Sequence, residues 1–184
     1  MAQYLAFLVL GALAGAAPAA APSQTESCKD ASFLHASWAV KGFRYHSLIT
    51  YSTPSHPIAT GFVDFNLTNV ALPYTLSCSA TSSQMSDFFY GNQWYLCTDS
   101  LGNDAEFQFD KSSGRLDLQQ KWACANDSPP VSFMGKGTAN VTMVCRTGRW
   151  QKQNWTAGET YSTEHTDCAP QDLTIMPNEL MAST

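Results

Sequence analysis

The segment from Glu106 to Cys124 reads EFQFDKSSGRLDLQQKWAC and carries the clearest signal of the fold class. Its first part, 106–110, alternates phenylalanine with polar residues, and its last part, 115–124, alternates Leu, Leu, Trp and Cys with polar residues. Gln120 is the one polar residue in the apolar series. Because a β-strand sends successive side chains to opposite faces, each part predicts a half-buried strand. The turn-forming residues Asp110–Gly114 between them predict a hairpin.

Similar patterns recur along the chain, whereas helical periodicity is hard to find. The segments that predict further strands are Ser37–Ser52, Gly61–Asn69, Tyr74–Cys78, Asn140–Cys145 and Asp172–Met176. Gly42 suggests a bulge, and Gly135 and Gly137 suggest a bend or corner. Many short strands with one apolar face predict an all-β protein, an antiparallel β-barrel or barrel-like sandwich. We expect one domain at 28–177, with loose ends at 17–27 and 178–184.

Composition bounds the function. The chain has 184 residues, of which 44% are hydrophobic and 14% charged, and its net charge is -5. The apolar content is enough for a core, which excludes disorder for most of the chain. The negative charge argues against nucleic-acid binding through phosphate contacts. No apolar run after the N-terminal segment reaches the length of a membrane span.

The N-terminal segment predicts secretion. Residues 1–22 carry no charged side chain, Leu5–Leu13 is apolar, and Ala14-Gly15-Ala16 fits an A-x-A cleavage rule. We expect a signal peptide at 1–16, with cleavage there or at a position up to about residue 21. The mature protein is then extracellular and has no membrane segment.

The cysteine count fits that compartment. In an oxidising compartment six cysteines predict three disulfides, and fifteen connectivities are open. No two cysteines have the spacing of a zinc site, so we expect no metal and no cofactor. The cysteines are Cys28, Cys78, Cys97, Cys124, Cys145 and Cys168. The strand pattern places Cys78, Cys124 and Cys145 on core faces.

Four N-x-S/T sequons also fit secretion, and a glycan needs a solvent-exposed asparagine. Alternation places Asn66 and Asn140 opposite the apolar faces of their strands. The candidate glycosylation sites are Asn66, Asn126, Asn140 and Asn154.

Candidate catalytic groups are few and scattered. None of the histidines lies in a metal-binding or catalytic motif. They are His35, His46, His56 and His165. Asp104, Glu106 and Asp110 flank one strand, as a glycosidase pair would require, but Glu106 points to solvent.

A second set of polar residues offers an acid, a base and a cation for a small ribonuclease. Its members are Glu159, Glu164, His165, Arg146 and Arg149. They lie in one segment without strand alternation to orient them. We therefore expect no catalytic residues and no enzyme activity, with a secreted hydrolase as the remaining alternative.

The segment 146–166 is the candidate binding loop, because exposed tryptophans beside cations stack on sugars or anchor protein partners. The competing interpretation is that its rings fold back and close one end of the barrel. Its candidate binding residues are Arg146, Arg149, Trp150, Lys152, Trp155 and Tyr161.

Several strings carry a family resemblance. They are Thr75–Ala80 (TLSCSA), Trp94–Cys97 (WYLC), Phe107–Asp110 (FQFD), Gly114–Lys121 (GRLDLQQK) and Val144–Arg146 (VCR). In this order they resemble the Alternaria major allergen family, which are small secreted fungal β-barrel proteins. The resemblance covers residues 75–122 best.

The resemblance implies a disulfide pairing. Cys78 and Cys97 match the family's first internal bridge, and Cys145 and Cys168 match its second, which leaves Cys28 for Cys124. In relatives an N-terminal cysteine bridges two subunits. This chain departs from the family by supplying Cys124, so we expect a monomer or a non-covalent dimer.

The resemblance also implies a function. Family members are allergens and plant-interacting effectors or elicitors, generally without established enzyme activity. We expect a non-enzymatic secreted protein that binds a host plant protein or a small apolar ligand. The alternative is a carbohydrate-binding module that contacts cell-wall glycan through Trp150 and Trp155.

Overall fold

The computed structural model describes residues 26–184. The predicted signal peptide, its cleavage positions and the chain up to residue 25 lie outside the described residues. In the described part, no helix is both long enough and apolar enough to cross a membrane.

One short helix precedes eleven strands. The helix is α1 (Cys28–Leu34). The strands are β1 (Trp38–Thr53), β2 (His56–Asn69), β3 (Thr75–Ser82), β4 (Tyr95–Thr98), β5 (Asp104–Asp110), β6 (Arg115–Cys124), β7 (Val131–Asn140), β8 (Cys145–Gln151), β9 (Ser162–Cys168), β10 (Gln171–Ile175) and β11 (Pro177–Ser183). The all-β prediction is confirmed.

All strands join one antiparallel sheet in the order β11-β7-β6-β5-β4-β3-β2-β1-β9-β8, and β10 also pairs with β1. The ladder does not close on itself. The consecutive strands β10 and β11 lie on β1 and β7 respectively, so one stretch of chain bridges the gap between those two strands. The architecture therefore fits a barrel-like sandwich loosely.

Aromatic side chains fill the interior. The largest fully buried ones are Trp38, Phe43, Tyr45, Phe89, Phe107 and Phe109. The alternation predicted for the hairpin at 106–124 is confirmed, because buried and less buried residues alternate through β5 and β6. Trp122 is only 6% exposed and packs edge-on against Trp38. This core places the polar face of each strand outward.

Gln120, the polar residue on the otherwise apolar face of β6, is buried, and its amide oxygen accepts two hydrogen bonds. It accepts hydrogen bonds from the indole N–H of Trp38 at 2.8 Å and from Asn69 Nδ2 at 3.0 Å. Near it, the Trp122 indole N–H donates to Ser32 Oγ of α1 at 2.9 Å. Buried polar groups are tolerated when they are paired in this way.

Three disulfides connect the elements: Cys28–Cys124, Cys78–Cys97 and Cys145–Cys168. They are the three pairs that the family resemblance implies. Cys78 faces Cys97 between β3 and β4, and Cys145 faces Cys168 between β8 and β9. Cys28 ties α1 to the end of β6.

Two glycine predictions have different outcomes. The pairing of β1 with β2 shifts register between Lys41 and Arg44, which places a bulge at Gly42 as predicted. Gly135 and Gly137, for which a bend or corner is predicted, both lie within β7, so neither marks the end of a strand. A Cβ at Gly135 would lie 2.9 Å from Trp38 Cη2, so the close approach of that ring requires glycine.

Two expectations about segment boundaries and one about the burial of Cys145 are wrong. Residues 178–184 are not a loose tail, because β11 pairs with β7 through Ser183 and extends the domain beyond residue 177. Asn140–Cys145 is not one strand: β7 ends at Asn140, β8 begins at Cys145, and the chain between them crosses to the opposite end of the sheet. Cys145 is consequently exposed rather than on a core face.

Candidate binding site

The predicted loop 146–166 is instead a β-hairpin at the end of the sheet. β8 and β9 pair from Cys145↔Cys168 to Gln151↔Ser162, and β9 pairs with the distal half of β1. All residues of β8 except Gly148 are exposed. Sequence alternation missed this strand because neither of its faces packs against a core, so neither face needs to be apolar.

The structure distributes the six candidate binding residues over two parts of the hairpin. Arg146 and Trp150 occupy alternate positions on one face of β8, and Arg149 lies on the other face. Lys152, Trp155 and Tyr161 belong to the connection between the strands.

Arg149 is held by its neighbour on β9. Arg149 and Glu164 face each other in the register, and Arg149 Nε donates to Glu164 Oε2 at 2.9 Å. The hydrogen bond and charge of Glu164 raise the pKa of Arg149. Arg149 and Glu164, two members of the candidate ribonuclease set, are therefore paired with each other.

Glu159 makes the main contacts within the connection between β8 and β9. Its carboxylate accepts hydrogen bonds from Lys152 Nζ at 2.5 Å and from Thr156 N and Oγ1 at 3.1 and 2.9 Å. These contacts, with the Lys152 hydrogen bond the strongest, lower the pKa of Glu159 to about 2. Trp155 Nε1 donates to the Glu159 carbonyl at 2.8 Å, and the Trp155 ring packs edge-on against Tyr161. Trp155 is thus committed to local structure.

Two candidate residues remain available for a partner. Trp150 is 52% exposed. Arg146 forms no salt bridge or side-chain hydrogen bond with any residue of the described chain. Between them, the ring of His165 covers Gly148, where a Cβ would clash with that ring. The candidate site is therefore narrower than the sequence prediction and centres on Arg146 and Trp150.

The histidines lie in separate surroundings. His35 lies 3.7 Å from Glu26, and His46 stacks on Phe62 with centroids 4.5 Å apart. His56 Nδ1 lies 2.9 Å from Thr53 Oγ1. Within residues 26–184, the one cluster of three potential metal ligands is Cys28, Cys124 and Asp127. Its two sulfurs are bonded to each other, so they supply no thiolate.

The carboxylates of β5 are partly engaged. Glu106 lies on the outer face, as predicted, and accepts a hydrogen bond from Gln119 Nε2 at 2.5 Å. Asp110 accepts from Ser112 N and Oγ, and these contacts lower the pKa of Asp110. Asp104 and Glu106 line one surface cavity of about 260 Å³. This shared cavity is a feature that the strand pattern did not predict.

Two other surfaces bear on binding. A second cavity, of about 710 Å³, lies on β6, β7 and β11 and is lined in part by Trp122, Phe133, Met134 and Met181. The sequon asparagines Asn66, Asn126, Asn140 and Asn154 are all exposed.

Comparison with known families gives one finding. A family model described as Alternaria alternata allergen 1 matches residues 40–168, which is more than half of the chain. The match includes β8 and β9 and ends at Cys168; helix α1 and strands β10 and β11 lie outside it. Comparison with curated proteins and with solved structures gives no match.

Proposed function

The chain belongs to the Alternaria alternata allergen 1 family and is thus an allergen-like fungal protein, and we propose that it is a secreted, non-enzymatic effector or elicitor that binds a host plant protein. The observation that carries the proposal is that the exposed Trp150 and Arg146, which forms no salt bridge with a described residue, lie on one face of a terminal strand. Tryptophan and arginine are enriched among the residues that contribute most binding energy in protein interfaces.

Secretion is supported by several independent features. Three disulfides and no free cysteine among the described residues fit an oxidising compartment. Four exposed sequon asparagines fit passage through the secretory pathway. The uncharged N-terminal segment fits a signal peptide.

Affinity capture tests the proposal, with the secreted protein as bait and plant extract as the source. We expect a specific plant protein to bind the wild type and to be lost with Trp150→Ala. The matched control is Leu101→Ala, because Leu101 is 84% exposed and lies in the β4–β5 connection. Equal retention by both variants, or the absence of any specific partner, would contradict the proposal.

A small apolar ligand is the second candidate occupant, and the cavity of about 710 Å³ beside Met134 and Met181 favours it. Methionine side chains adapt to ligands of varied shape. An apolar fluorescent probe, 1-anilinonaphthalene-8-sulfonate, tests this cavity. Binding that Met181→Ser weakens would favour the ligand, whereas unchanged binding would exclude this cavity as its site.

Carbohydrate binding is the alternative for the hairpin. It is less well supported than protein binding because Trp155 packs against Tyr161, which leaves Trp150 as the exposed indole of the pair. A glycan array with wild type and Trp150→Ala distinguishes the two. Cell-wall glycan binding that requires Trp150 would favour the alternative.

A secreted hydrolase is the least supported candidate, and it rests on the cavity that Asp104 and Glu106 share. Assays on RNA and on cell-wall polymers test it. We expect no turnover; turnover that Glu106→Gln abolishes would establish an enzyme.

A further inference from the structure

The outer edge of β8 carries unpaired backbone groups. β8 is the last strand of the sheet and has β9 as its sole neighbour in the described chain. At the two ends of the hairpin, Lys152 N donates to Tyr161 O and Ala169 N donates to Val144 O, each at 2.9 Å. Both contacts keep the register of β8 on β9.

This register decides which residues point outward. In an antiparallel ladder, alternate residues direct both backbone groups to the same neighbour. Even-numbered residues of β8 therefore bond to β9, and the odd-numbered ones direct N–H and C=O away from the sheet. Those residues are Cys145, Thr147, Arg149 and Gln151. An unpaired edge of this kind is a template for another extended chain.

β8 lacks most of the devices that protect natural edge strands, which are charged side chains, proline, bulges or a covering segment. It does carry Arg146 and Arg149, of which Arg149 is paired with Glu164. β8 contains no proline, pairs with β9 without a register shift and is exposed along its length. The edge strand at the other end of the sheet, β11, begins with Pro177 and has a register shift. Of the two ends, β8 is the more open to pairing.

Charge indicates the chemistry of the occupant. The segment 146–152 carries three of the chain's ten Lys and Arg residues and no acidic residue. Arg149 and Lys152 form salt bridges with Glu164 and Glu159, whereas Arg146 faces Asp167 in the register but forms no salt bridge with it or with another described residue. Trp150 presents an exposed ring on the same face as Arg146.

We propose that the free edge of β8 binds an extended segment of a partner protein by β-strand addition, with an acidic residue opposite Arg146 and an apolar residue opposite Trp150. The backbone bonds to Thr147 and Arg149 supply affinity, and the two side-chain positions supply specificity. This inference rests on the proposed protein-binding function and assigns its site.

A second copy of the chain fits this edge less well. Antiparallel self-pairing centred on Gly148 would set Arg149 of each copy opposite Thr147 of the other. Each Arg149 is already paired with Glu164, and self-pairing would set Arg146 opposite Trp150 rather than opposite an acidic residue. Each copy also carries a net charge of -5.

A peptide titration followed by NMR tests the inference on the intact secreted protein. The probe is the capped heptapeptide Thr-Leu-Thr-Val-Thr-Glu-Thr, whose Leu and Glu face Trp150 and Arg146 when it pairs antiparallel with β8. The control peptide has Lys in place of Glu. We expect the Glu peptide to shift the amides of Thr147 and Arg149 and to bind about threefold or more tightly than the Lys peptide.

Two variants at Thr147 separate backbone from side chain. Thr147→Pro removes an outward N–H without removing a bond to β9, a position that tolerates proline. Thr147→Ala is the matched control, because both variants lose the contact of Thr147 Oγ1 with Thr166 Oγ1 at 3.0 Å. We expect Thr147→Pro to weaken peptide binding by about fivefold or more and Thr147→Ala to leave it nearly unchanged.

The variant Arg146→Glu tests the proposed site even if Thr147→Pro does not fold. We expect this variant to prefer the Lys peptide over the Glu peptide. Equal binding of the two peptides, equal binding by the two Thr147 variants, or a dimer that Thr147→Pro disrupts would overturn the inference. A captured plant partner that binds Thr147→Pro as well as wild type would leave the proposed function standing and remove β8 as its site.

Discussion

The indole N–H of Trp38 on β1 donates to Gln120 Oε1 on β6 at 2.8 Å, which connects two strands that are not neighbours in the sheet. The same oxygen accepts from Asn69 Nδ2, so one side chain satisfies two buried donors. This contact joins two walls of the interior that backbone pairing does not join.

Gln120→Leu is expected to destabilise the protein by about 2 to 6 kcal/mol, because it leaves two buried donors unpaired at roughly 1–3 kcal/mol each. The control is Gln119→Leu, since Gln119 lies on the outer face and is half-buried. Chemical denaturation measures both. A loss no larger for Gln120→Leu than for Gln119→Leu would contradict the importance of this contact.

Trp122 and Trp150 should differ sharply in how much each contributes to the free energy of unfolding. Trp122→Ala creates a cavity beside Trp38 and Phe133 and is expected to cost about 3–5 kcal/mol of folding free energy. Trp150→Ala removes a ring that is 52% exposed and should change stability by less than about 1 kcal/mol. Thermal and urea unfolding check the difference. Equal losses would mean that Trp150 packs into the domain and is not available to a partner.

The Glu159 contacts predict a pH-dependent connection. Because the pKa of Glu159 falls from 4.5 to about 2 on folding, its contacts stabilise the folded connection above about pH 4.5. That contribution is lost as the pH falls from about 4.5 to about 2. NMR titration of the Glu159 carboxyl should give a midpoint near 2, and Lys152→Met should move it toward 4.5. Lys121→Met is the control and should not move it.

Cys28 is expected to have no role between subunits. Its bridge to Cys124 spans 96 residues of sequence and should stabilise the fold by about 4 to 5 kcal/mol through loop closure. A thiol already bridged within its chain has no thiolate to attack another chain. The native protein, with free thiols trapped, should run as a monomer on a non-reducing gel. A band of twice the mass that collapses on reduction would show pairing between chains.

Secretion from a eukaryotic host should give a glycosylated protein that begins between Ala17 and Pro22. The exposed Asn66 and Asn140 are the preferred acceptors, because their sequons lack the Pro129 and Trp155 of the other two. Mass spectrometry before and after glycosidase treatment measures the glycans, and N-terminal sequencing finds the cleavage site. An unchanged mass would contradict glycosylation, and a retained Met1 would contradict the signal peptide.

The all-β class and most strand positions can be predicted from the order of residues alone. One face of β5 packs on the core and the other is exposed to solvent. Phe107 and Phe109 therefore alternate with polar residues, and the strand can be predicted from this alternation. The same rule placed Trp122 in the interior and Asn66 on the surface.

Where the two faces of a segment do not differ in burial, the strand becomes visible only through its tertiary pairing. β8 is solvated on both faces, so its residues carry no alternation, and only its pairing with β9 makes it a strand. β11 is likewise a strand because it pairs with the edge of β7. The role of Gln120 depends on Trp38 and Asn69, which are distant in sequence and adjacent only in the fold. The candidate site follows the same logic: the sequence supplied Arg146 and Trp150, and the unpaired edge beside them exists because the sheet ends at β8.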